Sequence, residues 1–537
     1  MRSFSTVAGL RCYLDQILNG SKWLHPALAC AAKPSVGFVP TMGALHEGHT
    51  SLIQQARRDN DLVVVSIFVN PLQFAPTEDW QQYPRSLAQD RQLCEQASID
   101  VLFTPTSTAL QLQGAELEKP WQLTQVLPPP SLTAGLCGRS RPGHFQGVAT
   151  IVSMLFHLVQ PDRAYFGQKD AQQLAIIRQL VLDLHFPVEI IACPTVRESS
   201  GLAVSSRNQY LSAPQRQEAA VIFAGLQRAE QLFRSGERSP PVLIAAVNQT
   251  LATAPTVQLD YIELVDPESL KPLTTLDDQG LLAIAAYLGS TRLIDNLLLR
   301  NRRPIVAIDG PAGAGKSTVA RRVAQVLGLL YLDTGAMYRA ITWFVLQNQI
   351  EITDQPAIAE LVSQCQIEIG TENDTLRVWV QGEDVTEEIR SLAVTAKVSA
   401  IAAQPAVRRA LVNQQRRFGR QGGIVMEGRD IGTHVFPDAE VKIFLTASIQ
   451  ERARRRQLEL QQQGKEEISL AQLEQAILSR DQQDSERNLS PLRQAGDAIA
   501  IPTDGLTIDQ VVDQIVQLYQ GARMGQTSEK LSSREPT

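Results

Sequence analysis

Across the first two hundred residues the chain alternates short β-branched runs with stretches of helical period. Val36-Gly37-Phe38-Val39 is one candidate strand, and Val63 to Phe68 is the clearest, apolar enough to be buried on both faces. Val101–Phe103, Ala164–Phe166 and Val188–Ile191 are shorter runs of the same kind. Between them apolar positions recur at helical spacing, as at Leu52, Ile53 and Ala56, or Ile151, Leu155 and Leu158. This alternation predicts an α/β unit with a parallel sheet wrapped by helices, and ligands in such sheets bind beyond the carboxyl ends of strands. The pattern then changes. Two helical stretches, Ala213 to Phe233 and Leu243 to Leu251, precede strand-like runs at Leu259–Leu264 and Leu281–Tyr287. Thr291 to Arg303, with Asp295, Asn296, Asn301 and the basic Arg300, Arg302 and Arg303, reads as a junction. A new apolar run, Ile305 to Ile308, opens a second series of strands and helices. After Tyr519 the composition turns polar, and Gly525 to Thr537 is expected to be a disordered tail.

At 537 residues the chain is too long for one core, and about three or four compact units are expected. A hydrophobic content of 44% and a charged content of 20% match an ordinary soluble globular protein. The net charge of −6 argues against general nucleic-acid binding, so clustered arginines are read as local anion sites. Cys12, Cys30, Cys94, Cys137, Cys193 and Cys365 show no paired spacing, which suggests neither a zinc site nor a disulfide framework. The first residues form no signal-like apolar run and no segment is long enough to span a bilayer. A cytoplasmic location is expected, with no membrane or nucleic-acid partner.

The polar motifs fall where strands end. Pro40-Thr41-Met42-Gly43-Ala44-Leu45-His46-Glu47-Gly48-His49 follows the first long strand and enters a helix. His46 and His49, three apart, share a face there, and Gly48 leaves room beside them. Two imidazoles at a helix N-terminus can donate to phosphate oxygens, although surface or capping histidines would read the same way in isolation. Asn70 and Gln73, at the end of the second strand, are neutral hydrogen-bonders suited to a hydroxylated small acid, or to turn chemistry alone. Gly167-Gln168-Lys169-Asp170, followed by Gln172 and Gln173, puts a glycine, a cation and a carboxylate at one strand tip. There Lys169 can meet a phosphate, and Asp170 can accept from ribose hydroxyls or help place Mg²⁺. Val196-Arg197-Glu198 and Val204-Ser205-Ser206-Arg207-Asn208 supply hydroxyls and guanidinium groups that suit a triphosphate.

Gly310-Pro311-Ala312-Gly313-Ala314-Gly315-Lys316-Ser317 stands between an apolar strand and a helical stretch opened by Thr318. Strand, glycine loop and helix are the context of a phosphate-binding loop. Its glycines let backbone N–H groups face phosphate oxygens, Lys316 adds a mobile charge, and Ser317 can ligate Mg²⁺. Downstream lie Leu332-Asp333-Thr334-Gly335-Ala336-Met337-Tyr338-Arg339 and the pair Ser399 and Arg408. Ile424 to Gly432 follows, containing Glu427-Gly428-Arg429-Asp430, and then the arginine-rich stretches Glu451–Arg456 and Arg480–Arg487. The alternative for the arginine runs is a solvated helical face.

In this order the front strings resemble pantothenate synthetase, the pantoate–β-alanine ligase family of the nucleotidyltransferase superfamily, over roughly residues 1–283. The resemblance implies that ATP activates the pantoate carboxylate as an acyl adenylate, releasing pyrophosphate, and that β-alanine then attacks to give pantothenate and AMP. It implies that Met42, Gly43, Ala44, Leu45, His46, Glu47, Gly48 and His49 hold ATP together with Gly167, Gln168, Lys169 and Asp170. Val196, Val204, Ser205, Ser206 and Arg207 would complete that site. Gln73 and Gln173, with Asn70, would bind pantoate, and Gln73 would also lie near β-alanine. His49, His46 and Lys169 would be catalytic. His49 is the family's proton donor, and an imidazole of ordinary pKa near 6.5 could serve either as donor or as a stabiliser of phosphate charge. Two departures flank the phosphate loop: Ser200 stands where an acid is more usual, and Val204 where methionine is. Asp90, after Tyr83-Pro84-Arg85, is a weaker Mg²⁺ candidate.

The rear strings resemble bacterial cytidylate kinase across about residues 303–523. The resemblance implies transfer of a phosphoryl group from ATP to CMP or dCMP, mostly by positioning and charge neutralisation. Residues Gly310 to Thr318 would hold ATP, with Lys316, Arg429 and Arg480 catalytic. Thr334, Arg339, Ser399, Arg408, Asp484 and Arg487 would bind CMP. The span around 452–487 would be a lid, and Glu368 to Arg390 the strand-containing insert of the monophosphate domain. Thr334 replaces the usual serine and Glu427 the usual aspartate. The resulting expectation is α/β throughout. A Rossmann-like nucleotidyltransferase domain (1–195) and a small α+β domain with the junction (196–296) precede a P-loop nucleoside monophosphate kinase domain (297–523) and a tail (524–537). Mg²⁺ is the expected cofactor, ATP the co-substrate, and a homodimer through the front half the expected assembly.

Overall fold

Six short strands form the first sheet: β1 (Arg2–Phe4), β2 (Val36–Thr41), β3 (Leu62–Ile67), β4 (Val101–Phe103), β5 (Arg163–Gly167) and β6 (Glu189–Cys193). They lie in the order β1-β4-β3-β2-β5-β6 and all pair in parallel. The computed structural model describes residues 1–18, 34–75, 80–112, 123–372, 375–462, 468–486 and 490–523. β3 explains why its run lacks alternation. Leu62 and Val64 pack with Phe38, Leu14 and Phe156 on one face, while Val63 and Val65 pack with Ile53, Ala56 and Cys94 on the other. The edge strand β1 was not anticipated, because two exposed residues and one half-buried one carry no periodic signal. The strand order reverses between β2 and β5, so the ends of these two strands flank the crevice where such sheets bind ligands.

The strands β7 (Val257–Val265), β8 (Gln279–Leu288) and β9 (Thr291–Arg300) form an antiparallel sheet. Helices Ala213–Arg234 and Pro240–Leu251 cover it through Ile222, Leu226, Leu243 and Val247. The first of these helices opens with a full capping box between Ser212 and Gln215. The reading of Thr291 to Arg303 as a junction is corrected here. Thr291–Arg300 pairs with β8 along its whole length, and its Asp295 is buried. Charged and amide side chains disguised a strand whose apolar partners alternate weakly.

A second unit starts with β10 (Val306–Asp309) and β11 (Leu330–Asp333). It then inserts an antiparallel sheet of β12 (Ile367–Glu372), β13 (Thr375–Val380) and β14 (Glu383–Asp384), as expected for Glu368 to Arg390. It closes with β15 (Ile424–Glu427), β16 (Val441–Thr446) and β17 (Ile499–Pro502). The parallel sheet has the order β11-β15-β10-β16-β17, with β10 central. Two compact units result, Met1–Asn301 and Arg302–Thr537, and the first holds two sheets with separate cores. The boundary therefore falls at 301/302, beyond the expected 296/297, because cutting at 296 would divide β9. The expected tail, 524–537, lies outside the described residues. Among those described, no helix is long and apolar enough to cross a membrane.

Candidate active sites

Leaving β2, the chain turns through Gly43 and Ala44, both at positive φ, before the helix Glu47–Asp59 begins. Buried Asp90 holds this turn by accepting the N–H groups of Ala44 (2.9 Å) and Leu45 (2.8 Å), with Ser86 Oγ at 3.3 Å. Each carboxylate oxygen thus accepts a loop N–H, which gives Asp90 a role in holding the turn. His46 caps the helix: Gly48 N–H donates to its Nδ1 (3.2 Å), which leaves Nε2 to carry the proton. The rings of His46 and His49 lie 4.1 Å apart, and buried Nδ1 of His49 has no hydrogen-bond partner. Burial lowers the pKa of His46 to about 4, with help from Lys169, and that of His49 to about 3, with help from His46 and Lys169. Both imidazoles are therefore neutral near pH 7.

Gln73, Ser206 and Lys169 reach this turn from three other segments. Gln73 Nε2 lies 2.7 Å from Met42 Sδ, and Asn70 donates to Gln73 Oε1 (3.2 Å) and to Gly147 O (3.1 Å). The Gln73 carbonyl accepts from His144 Nδ1 (2.7 Å), while His144 Nε2 lies 3.1 Å from Arg141. Neither Arg141 nor His144 was singled out in the sequence, since each looks ordinary until folding puts it behind Gln73. Asp170 caps the helix Ala171–Asp183 by accepting Gln173 N–H (3.0 Å). Desolvation lowers the Lys169 pKa to about 8, opposed by Asp295 and assisted by Arg207. Ser206 Oγ donates to Ala44 O (3.3 Å), Ser205 caps the turn ahead of Arg207, and Val204 N–H donates to Val196 O (3.0 Å). Contacts thus link four motifs far apart in sequence, and Lys169 stands within electrostatic reach of both histidines and Arg207.

In the second unit, β10 leads into a loop with Gly310, Gly313 and Gly315 at positive φ, and then into helix Lys316–Leu327. A Cβ on Gly310 would meet Leu445 O at 2.1 Å, so glycine is required there. Lys316 Nζ donates to Pro311 O (2.7 Å). Its pKa is lowered, first by burial and then by Arg429, with Glu427 opposing. Ser317 Oγ donates to Glu427 (2.8 Å), whose other oxygen accepts from Tyr331. Thr334 Oγ1 donates to Glu427 O (2.8 Å), tying the start of the next helix to β15. A cavity of about 1600 Å³ opens here, bordered by the loop and by Ser399, Arg408, Arg480 and Asp484. Arg339 pairs with Asp333 (2.8 Å), Arg429 with Asp484 (3.0 Å), and buried Arg408 with Asp430. Helices Ile449–Gln462 and Leu470–Glu486 pack through Ala453 and Leu473, and Arg454, Arg455 and Arg456 also line the cavity. A purely solvated face does not describe that run. Arg487 lies outside the described residues.

The pantoate-beta-alanine ligase family model matches residues 14–298, and the cytidylate kinase model matches residues 306–521. The bifunctional pantoate ligase/cytidylate kinase of Trichormus variabilis is 59% identical, over 97% of this chain and 99% of its own length. That of Nostoc sp. is 58% identical over the same shares. The chain belongs to this bifunctional family. A pantoate–β-alanine ligase domain precedes a cytidylate kinase domain, both of ATP-using families. A pantothenate synthetase solved from Thermus thermophilus is 44% identical, spanning 55% of this chain and 99% of that one, with a TM-score of 0.49. Within the family frame, the residues missed by sequence reasoning are those that hold others: Asp90 in its actual role, Arg141, His144, Asp295 and Asn296. The signal for Asp295-Asn296 was present as an adjacent acid and amide, but its strand context was not legible.

Proposed function

We propose that the first unit condenses pantoate with β-alanine through a pantoyl adenylate, and that the second phosphorylates CMP or dCMP. The observation that carries this reading is the presence of two separate phosphate cradles, one in each unit. In the first, neutral His46 and His49 donate N–H groups to ATP phosphate oxygens, and charge developing on departing pyrophosphate raises their proton affinity. Lys169 and Arg207 add fixed positive charge, while Gln73 and Gln173 orient pantoate for in-line attack by its carboxylate on the α-phosphorus. His49, with its unpartnered ring nitrogen, is the group best prepared to follow that charge.

In the second unit the loop N–H groups and Lys316 hold the ATP phosphates. Arg339, Arg429 and Arg480 neutralise the acceptor phosphate and the transferred group, while Ser399, Arg408 and Asp484 recognise the nucleoside. Ser317, backed by Glu427, is an all-oxygen site suited to a hard cation, and among the described residues no cluster of three His, Cys, Asp or Glu side chains could hold a metal by itself. Mg²⁺ bound at Ser317 would neutralise phosphate charge, with most of its other ligands coming from ATP and water. A cytoplasmic location and a homodimer through the first unit complete the proposal.

The test is direct. The purified chain should catalyse pantoate-dependent exchange of labelled pyrophosphate into ATP, and separately convert CMP and ATP to CDP and ADP. No exchange would reduce the front unit to a binding or scaffold module, and no CMP turnover would leave the rear as a nucleotide sensor.

A further inference from the structure

Two adjacent residues of β9 reach the two loops that frame the front crevice. Asn296 Nδ2 donates to the carbonyls of both Gln168 (2.9 Å) and Lys169 (2.8 Å). Asp295, only 4% exposed, accepts from both terminal nitrogens of Arg197 (2.6 and 2.9 Å) and from the N–H of Asn296 (2.8 Å). Arg197 also donates to Gly201 O (3.1 Å) and lies 3.6 Å from the centre of the Phe223 ring. Neighbours on a strand point to opposite faces, which lets consecutive side chains serve different loops. The carbonyls of Gln168 and Lys169 lie past the end of the β5 ladder, and here one amide anchors both.

Packing alone would ask less of these positions. Asparagine and aspartate are poor strand residues, and a buried ion pair seldom outperforms an apolar pair of equal size in stability. What such groups do supply is a fixed geometry between the loops they join. We infer that Asp295 and Asn296 are positioning residues for adenylate formation. They hold the Gly167–Asp170 turn and the Arg197–Arg207 loop at the separation that sets Lys169 against the ATP phosphates. This inference rests on the ligase reading of the first unit.

The experiment uses the full chain and begins with wild-type pyrophosphate exchange, whose absence would overturn the ligase reading itself. Asn296→Leu keeps the number and branching of the side-chain heavy atoms and removes the donors. Loss of two hydrogen bonds should raise the KM for ATP about tenfold. The KM for β-alanine, the rate of β-alanine attack on preformed adenylate and CMP kinase activity should stay unchanged, and the thermal midpoint should fall only slightly. Asn296→Gln, which retains an amide donor, should recover part of the loss. An unchanged KM for ATP would overturn the inference. So would a rise in every ligase KM together with a much lower thermal midpoint, which marks a packing residue. Should Asn296→Leu fail to fold, the isosteric Asp295→Asn decides the matter by the same readouts. A rise confined to ATP supports positioning, and none refutes it.

Discussion

The rings of His46 and His49 lie 4.1 Å apart, and burial keeps both neutral at rest. Their unfolded pKa is near 6.5 and their folded values are about 4 and about 3, so the unfolded chain takes up protons first on acidification. The stability that depends on neutral rings is present above pH 6.5 and is lost as pH falls towards 3. Thermal denaturation should therefore show the first unit weakening below pH 6.5, with a shallower acid slope in His49→Phe. Lys169, lowered to about 8, makes an opposite demand on activity: the free enzyme loses its ammonium charge as pH rises through that value. The ligase kcat/KM for ATP should fall above about pH 8, and Lys169→Arg should remove that limb. Asp90 belongs at this scale too. Asp90→Ala strands two buried loop N–H groups, so it should cost about 1–3 kcal/mol and raise the KM for ATP while leaving the Mg²⁺ dependence unchanged. A shifted Mg²⁺ requirement would instead support Asp90 as a metal ligand.

The second unit's phosphate loop depends on a strand that ends where its neighbour's backbone comes close. β10 stops at Asp309, whose carboxylate accepts Ile431 N–H (2.8 Å) and Gly432 N–H (2.7 Å), and Gly310 then passes beside β16. Gly310→Ala combines an unfavourable φ of +146° with a clash against Leu445 O. It should cost at least about 2 kcal/mol and abolish CMP kinase activity, with pyrophosphate exchange retained. Most elements were legible in the sequence because their periodicity was strong: β2 to β6, β7, β8, β10 and the helices Ala213–Arg234 and Pro240–Leu251. β9 was not. Its Asp295 and Asn296 break the apolar pattern because they serve the loops beside it, and a strand that carries out such work looks like a linker.

At the scale of the whole chain, two units with separate nucleotide cradles imply separable chemistry. Lys316→Ala should remove about 3 kcal/mol of transition-state stabilisation, slowing CMP phosphorylation about a hundredfold while sparing pantothenate formation. His49→Ala should do the reverse. Loss of both activities from either substitution in a folded chain would contradict the independence of the sites. The sequence alone determined the α/β class, the position of the phosphate loop and the identity of the groups proposed to meet substrate. Those features are local: a strand, a turn and a helix start lie contiguous along the chain, and their residue types suit direct contact with phosphate. Tertiary structure alone decided that Asp90 holds a loop, that His144 and Arg141 stand behind Gln73, and that β9 ties two loops together. Each of those is a contact between residues far apart in the chain, made by side chains whose partners are mostly backbone groups. A backbone carbonyl or N–H leaves no mark on the sequence that would say which distant side chain it has to meet.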